Sequence, residues 1–249
     1  MCDRINELIC QLADQFSVLP QVRAVALGGS RAKHIDVADS QSDIDLYVYT
    51  TYEVSMDERL SIVDSTGGAS QSNLGLDYWG PGDEWYHAPS GIEVDIVYFD
   101  ANWMQDQINK VLLRFEPSMG YSTCFWHTIN QSKIYYDGRD WLNELQKRCR
   151  IPYPEQLRRN IIELNYPVLR GIIPAYSHQV ENAVRRGDLV SINHRLAAFF
   201  TSYFDILFAI NRLPHPGEKR MLEVATQHCS LQPVDLRQEV ESILTKSMI

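Results

Sequence analysis

The sequence predicts an α/β fold, with a mixed-sheet domain over residues 1–150 followed by an all-helical bundle over residues 151–249. Three observations carry this reading. Short apolar runs at residues 22–27, 43–50 and 92–99 recur between helical patterns, as strands of a sheet do when helices separate them. Pro152 and Pro154 then mark a linker. Beyond Pro154 the strand patterns stop and only helical periodicity remains, which reads as an up-and-down bundle.

The elements follow in order. Residues 4–17 form a helix, because Ile5, Leu8, Ile9, Leu12 and Phe16 make one apolar stripe. Pro20 marks its exit. Strand 22–27 (VRAVAL) leads into the turn Gly28-Gly29-Ser30-Arg31, a short helix near residues 31–34 and strand 43–50. Residues 56–64 read as a helix, and the Ser/Gly-rich segment 65–75 as a loop. Residues 76–79, 84–87 and 92–99 read as strands separated by Gly-Pro-Gly-Asp and Ala-Pro-Ser-Gly turns. Tyr78, Trp79, Trp85 and Tyr86 are expected on a sheet face packed on core, a stacking platform being the other use of such rings. Helices over 101–113 and 119–130, strand 133–136 and a helix over 140–148 complete the first domain. The second holds helical patterns at 155–173, 176–187, 189–211, 217–229 and 233–247.

Composition narrows the function. The 45% hydrophobic content suits a folded chain with a sizeable core, and no run of eighteen apolar residues spans a membrane. The start lacks the basic flank and apolar block of a secretory signal. Five scattered cysteines without C-x-x-C spacing point to reduced thiols in a cytoplasm. Net charge is −9, and it is uneven. Residues 1–150 carry 12 Lys or Arg against 22 Asp or Glu, whereas residues 151–249 carry 11 against 10. An acidic half repels a nucleic acid backbone and attracts a cationic small molecule. Acidity also serves solubility alone.

The chemistry concentrates between Leu27 and Leu46. Asp43 and Asp45 lie two apart on a strand, so both point to one face while Ile44 points to the other. Two carboxylates that close repel, and a divalent cation removes the conflict. Oxygen-only ligands favour a hard ion such as Mg²⁺, which takes phosphate oxygens as further ligands. Gly28 and Gly29 let backbone N–H groups approach an anion, and Ser30 adds a hydroxyl. Asp95, inside the apolar run IEVDIVYF, is a charge that needs a partner or a metal.

G-G-S, then D-x-D, then a single Asp on a later strand resembles the DNA polymerase β-type nucleotidyltransferase superfamily. Within it the chain is similar to small bacterial two-domain enzymes, the aminoglycoside and lincosamide nucleotidyltransferases. The stretch NRLPHPGEKRML is similar to the helical-domain motif of a poorly characterised branch of that group. The resemblance implies a catalytic domain at residues 1–150 and a helical substrate-binding domain at residues 151–249. It implies an enzyme that transfers a nucleoside monophosphate from an NTP, ATP by preference, to a hydroxyl of a small polyhydroxylated acceptor. Asp43, Asp45 and Asp95 would be the catalytic metal ligands for Mg²⁺. Gly28, Gly29, Ser30 and Arg31 would hold the phosphates. Asp95 is the expected general base, with Glu93 as the alternative, expected on the opposite strand face.

Pro214-His215-Pro216-Gly217-Glu218-Lys219-Arg220 reads as the opening of a helix. By the resemblance, Lys219 would reach the triphosphate as a compact point charge. Glu163, Tyr166, Arg170, Tyr176, His194 and Asp205 are polar helix positions available to line a pocket. No nucleic acid or membrane partner is expected, and the sequence fixes no oligomeric state. A regulatory or antitoxin-type nucleotidyltransferase that modifies a protein is the competing reading.

Overall fold

The computed structural model describes residues 2–33 and 43–247. The chain divides into two compact units: residues 1–107 with 128–150, and residues 108–127 with 151–249. The segment 108–127 therefore belongs to the second unit, and not with residues 1–150 as the sequence suggests.

The first unit is built on a six-stranded mixed sheet of order β3-β4-β5-β2-β1-β6. Its strands are β1 (Val22–Leu27), β2 (Ile44–Thr50), β3 (Ala69–Leu76), β4 (Gly82–His87), β5 (Glu93–Asp100) and β6 (Lys133–Asp137). Among the described residues only β2 and β5 run parallel; β1 pairs antiparallel with β2 and with β6, and β4 pairs antiparallel with β3 and with β5. Alternation decides the two faces of the sheet. Ile44, Leu46 and Val48 of β2 and Val94, Ile96 and Tyr98 of β5 face one core, shared with Leu8, Ile9, Leu12 and Phe16 of helix α1 (Cys2–Ser17). Asp45, Tyr47 and Tyr49 take the other face. There Tyr49 meets Trp141 at 5.3 Å between ring centroids and Phe99 stacks on Trp103 at 6.0 Å.

Helix α3 (Met56–Ser65) starts on a capping box, in which Ser55 and Glu58 satisfy each other's backbone N–H. It carries Arg59, whose guanidinium is buried against Asp83 at 3.3 Å. The Tyr98 hydroxyl and the Gly75 N–H also donate to Asp83, at 2.6 and 2.7 Å. A buried ion pair is expensive unless further hydrogen bonds satisfy it, and this one has them. The cluster ties α3 to the β3–β4 hairpin.

Two expectations fail here. Residues 69–76 are a strand, not part of a loop, and residues 77–79 are not a strand. The cause is position: β3 is the sheet edge and most of its side chains are exposed, so its pairing comes from the backbone and leaves no apolar alternation to read. Of the four aromatics expected on core, only Trp85 is buried; Tyr78 and Trp79 are 78% and 91% exposed in the turn after β3, and Tyr86 is 42% exposed.

Within the second unit, helices α7 (Glu155–Tyr166), α8 (Tyr176–Arg186), α9 (Leu189–Ile210), α10 (Met221–His228) and α11 (Leu236–Ser247) follow one another. The remaining helices are α2 (Gly29–Lys33), α4 (Ala101–Leu112), α5 (Cys124–Gln131) and α6 (Trp141–Cys149). The chain passes from one unit to the other within α4, within α5 and after Arg150. Phe200, Phe204 and Phe208 of α9 form the spine of the second core. Beside them Asp205 of α9 accepts from the Ser122 N–H at 3.0 Å and the Ser122 hydroxyl at 2.6 Å. Asn165 of α7 donates to the same carboxylate at 3.3 Å and accepts from the Gly120 N–H at 3.0 Å. Burial pushes the Asp205 carboxyl up to about 6, against the lowering pull of the two Ser122 donors. No described helix is long and apolar enough to cross a membrane.

Candidate active site

Parallel pairing brings the two acidic strand starts to one sheet end. In register, Asp45 of β2 faces Asp95 of β5, and on the far side of β5 Asp95 faces Glu84 of β4. Directly opposed residues share a face, so Asp45, Asp95 and Glu84 form one row across three strands. Glu93 is two residues before Asp95 and hence on the same face, not the opposite one as expected. The Tyr86 hydroxyl, Glu93's cross-strand partner, donates to it and is itself shifted upward, chiefly by Glu93's charge.

The glycine turn closes on this row. Strand β1 runs antiparallel to β2, so its end delivers Gly28 to the beginning of β2, where the Gly28 N–H donates to the Asp45 carbonyl at 2.8 Å. A Cβ on Gly29 would lie 1.7 Å from Asp45 Oδ2, and Gly29 has φ +58°, a region that disfavours side chains. A Cβ on Gly28 would lie 2.3 Å from the Tyr47 ring. Both glycines are thus required by close approach. Arg31, 3% exposed, donates from Nε to the Asp43 carbonyl at 2.9 Å, fixing the backbone where β2 begins. It is a buried residue, not a surface one.

Tyr47 is the residue that motif reading misses. Burial pushes its hydroxyl up to about 12, and the charges of Asp45, Asp95 and Asp43 push the same way, while the Gly29 N–H donates to it. One side chain therefore senses all three predicted carboxylates. The signal was in the alternation: Tyr47 is two residues beyond Asp45, hence beside it on the same face.

Asp43, Asp45, Asp95, Gly28, Gly29 and Arg31 all come together in the first unit. The backbone of Ser30 lies in α2, but its side chain and residues 34–42 of the joining stretch lie outside the described residues. Lys219 belongs to the second unit and is exposed. The helix expected to open at Pro216 begins at Met221 instead, because Gly217 (φ +95°) and Arg220 (φ +55°) hold left-handed backbone that a right-handed helix cannot include.

The donor set is oxygen only. Among the described residues no three His, Cys, Asp or Glu side chains are grouped closely enough to hold a metal by themselves. Mg²⁺ suits such a place, since it binds one or two carboxylates and completes its shell with waters and phosphate oxygens. Asp45, nine-tenths buried, and Asp95 beside it fit that role.

A family model described as a domain of unknown function (DUF4037) matches residues 123–221. Among solved structures the chain is similar to a nucleotidyltransferase-like protein from Exiguobacterium sibiricum 255-15. The two share 13% identity with a TM-score of 0.43, over 98% of this chain and 73% of that one. No curated protein matches the sequence.

Proposed function

We propose that the first unit catalyses Mg²⁺-dependent nucleotidyl transfer from a nucleoside triphosphate, ATP by preference, to a hydroxyl of a small acceptor. The observation that carries this reading is the in-register pair Asp45 and Asp95 with the Gly28-Gly29 turn packed against Asp45. Asp45 and Asp95, with Asp43, would hold the metal. Bound Mg²⁺ supplies charge neutralisation of the phosphates and of the attacking oxygen. The chain's own residues do the rest. The Gly28-Gly29-Ser30 turn would hold the outer phosphates; the Gly28 and Gly29 N–H groups are already engaged by the Asp45 carbonyl and the Tyr47 hydroxyl, which leaves this to the backbone N–H groups that follow them. Arg31 keeps Asp43 in place through its carbonyl. The acceptor oxygen bonds to the α-phosphorus, the bond from that phosphorus to the bridging oxygen breaks, and pyrophosphate leaves. Asp95 takes the hydroxyl proton; Glu93, already engaged by Tyr86, is the poorer acceptor.

The acceptor is read from charge. Asp45, Asp95, Glu84 and Glu93 line one sheet end with negative potential. A cationic polyhydroxylated molecule, such as an amino sugar, is drawn to that field, and a nucleic acid backbone is repelled. The test is transfer of α-labelled ATP, GTP, CTP or UTP to aminoglycosides, a lincosamide, tRNA and cell-extract protein. The expected result is label on a small cationic acceptor, abolished in Asp45→Asn and Asp95→Asn with the fold intact. Full transfer by both variants would refute the assignment of these carboxylates. Label on RNA alone would refute the acceptor class, and label on protein would favour the regulatory reading.

A further inference from the structure

We propose that the helical unit carries a separate binding site for a small aromatic zwitterion, in a cavity walled by α7, α8, α9 and the π-helical turn Pro167–Gly171. The cavity measures about 360 Å³, at the small end of ligand-sized pockets. It lies within the second unit, and the proposal is independent of nucleotidyl transfer.

The wall is chemically divided. Tyr166, Leu169 and Phe199 supply apolar and aromatic surface. The Phe199 ring is held in place, stacked on Tyr203 at 6.1 Å and edge-on to Phe200 at 5.8 Å. Fixed rings receive a planar group with little ordering cost. Against them stand Arg170 and Glu181, opposite charges on one small cavity, with no ion pair joining them or tying either to another described residue. Both are exposed to water, and a ligand that carries both signs meets the two of them at once.

One further polar group is aimed by the backbone. His178 donates from Nδ1 to the Ile173 carbonyl at 3.1 Å, so in the neutral ring Nε2 is left as an acceptor. Ser177 also lines the cavity, but its Oγ is shut away from solvent and so from the cavity space.

The backbone is irregular at this wall. Pro167 has no N–H, so α7 cannot continue its i→i−4 ladder, and the next turn is π-helical. Leu169 and Arg170 of this turn line the cavity. Such π turns recur at ligand sites. The site therefore takes a ring against Tyr166 and Phe199, an ammonium against Glu181 and His178 Nε2, and a carboxylate against Arg170.

The experiment is calorimetric titration of the full chain with L-tryptophan and L-phenylalanine as zwitterionic probes. Phenethylamine, 3-phenylpropionate and L-alanine each lack one of the three features. The zwitterions are expected to bind saturably, and each partial probe roughly tenfold more weakly. Glu181→Gln should weaken phenethylamine and leave 3-phenylpropionate unchanged, Arg170→Gln should do the reverse, and Tyr166→Ala should weaken every ring-bearing probe. These three side chains are exposed, so the variants are expected to fold, and their thermal melting checks it. No saturable binding of either zwitterion at millimolar concentration overturns the proposal. So does binding that the three substitutions leave unchanged, or half-probes that bind as tightly as the zwitterions.

Discussion

Gly29→Ala separates two physical costs at the candidate active site. The first is conformational: at φ +58° an L side chain is strained, by about 1–2 kcal/mol. The second is steric. The new Cβ would meet Asp45 Oδ2 at 1.7 Å, half the separation of an ordinary contact, so the carboxylate must leave its place or the turn must lift. Forced repacking of that size costs about 1–3 kcal/mol. Together these give a loss of about 2–5 kcal/mol. Gly91→Ala is the control, because Gly91 has φ +69° and nothing within 4 Å of the position its Cβ would take. It should lose only the conformational part, about 1–2 kcal/mol. Urea denaturation of the two variants beside the unmodified chain measures the difference, and label transfer measures whether the displaced carboxylate still works. If Gly29→Ala costs no more than Gly91→Ala and retains activity, the turn is not packed on a working Asp45 and the reasoning fails.

Two pH predictions follow from buried groups. Asp205 has its folded pKa raised to about 6, so the folded state holds the proton more tightly than the unfolded chain; its contribution to stability is present at low pH and lost as pH rises from about 4 to about 6. Asp205→Asn should flatten that part of the stability–pH curve, and an unchanged slope would show that another group sets it. Among the 13 tyrosines, Tyr47 is held up to about 12 and Tyr49, Tyr98 and Tyr153 are also pushed upward by burial. Absorbance titration at 295 nm should therefore leave these four phenols un-ionised at pH 10, the ordinary tyrosine value. Raised phenol pKa values stabilise the fold fully below pH 10 and lose that contribution as pH climbs toward 12, so alkaline unfolding should begin there. Tyr47→Phe should lose the bond from the Gly29 N–H, about 0.5–1.5 kcal/mol, read by the same denaturation assay.

Much of the fold was legible because its core strands bury one face or both. Val22–Leu27 matches the observed strand to the residue, and β2 and β5 lie within a residue of expectation at each end. What sequence could not show was whatever depends on a partner strand. Strand β3 pairs through its backbone and exposes its side chains, so its residues look like a loop. Trp79 looks like core by type, yet its place in a hairpin turn leaves it 91% exposed. The helix start at Met221 was obscured for another reason: Pro216 and Glu218 are good first-turn residues, but left-handed backbone at Gly217 and Arg220 overrides them.

The candidate site divides along the same line. Spacing alone puts Asp43 next to Asp45, although Asp43 lies just ahead of β2, and spacing should also have given the face shared by Glu93 and Asp95. The joining of these two pairs needs the parallel register of β2 on β5, and Glu84 enters only through the antiparallel register of β4. Register is a tertiary fact, and a one-residue slip would turn each of these carboxylates into the core. The apolar residues between them prevent that slip: Ile44, Leu46, Val94 and Ile96 are fully buried on the opposite face. Moving β2 by one residue would take that set off the core shared with α1 and put Asp45 and Tyr47 into it. The chemistry of one face is thus located by the hydrophobicity of the other, and substitutions in Ile44 or Val94 should disturb the carboxylate row without touching it.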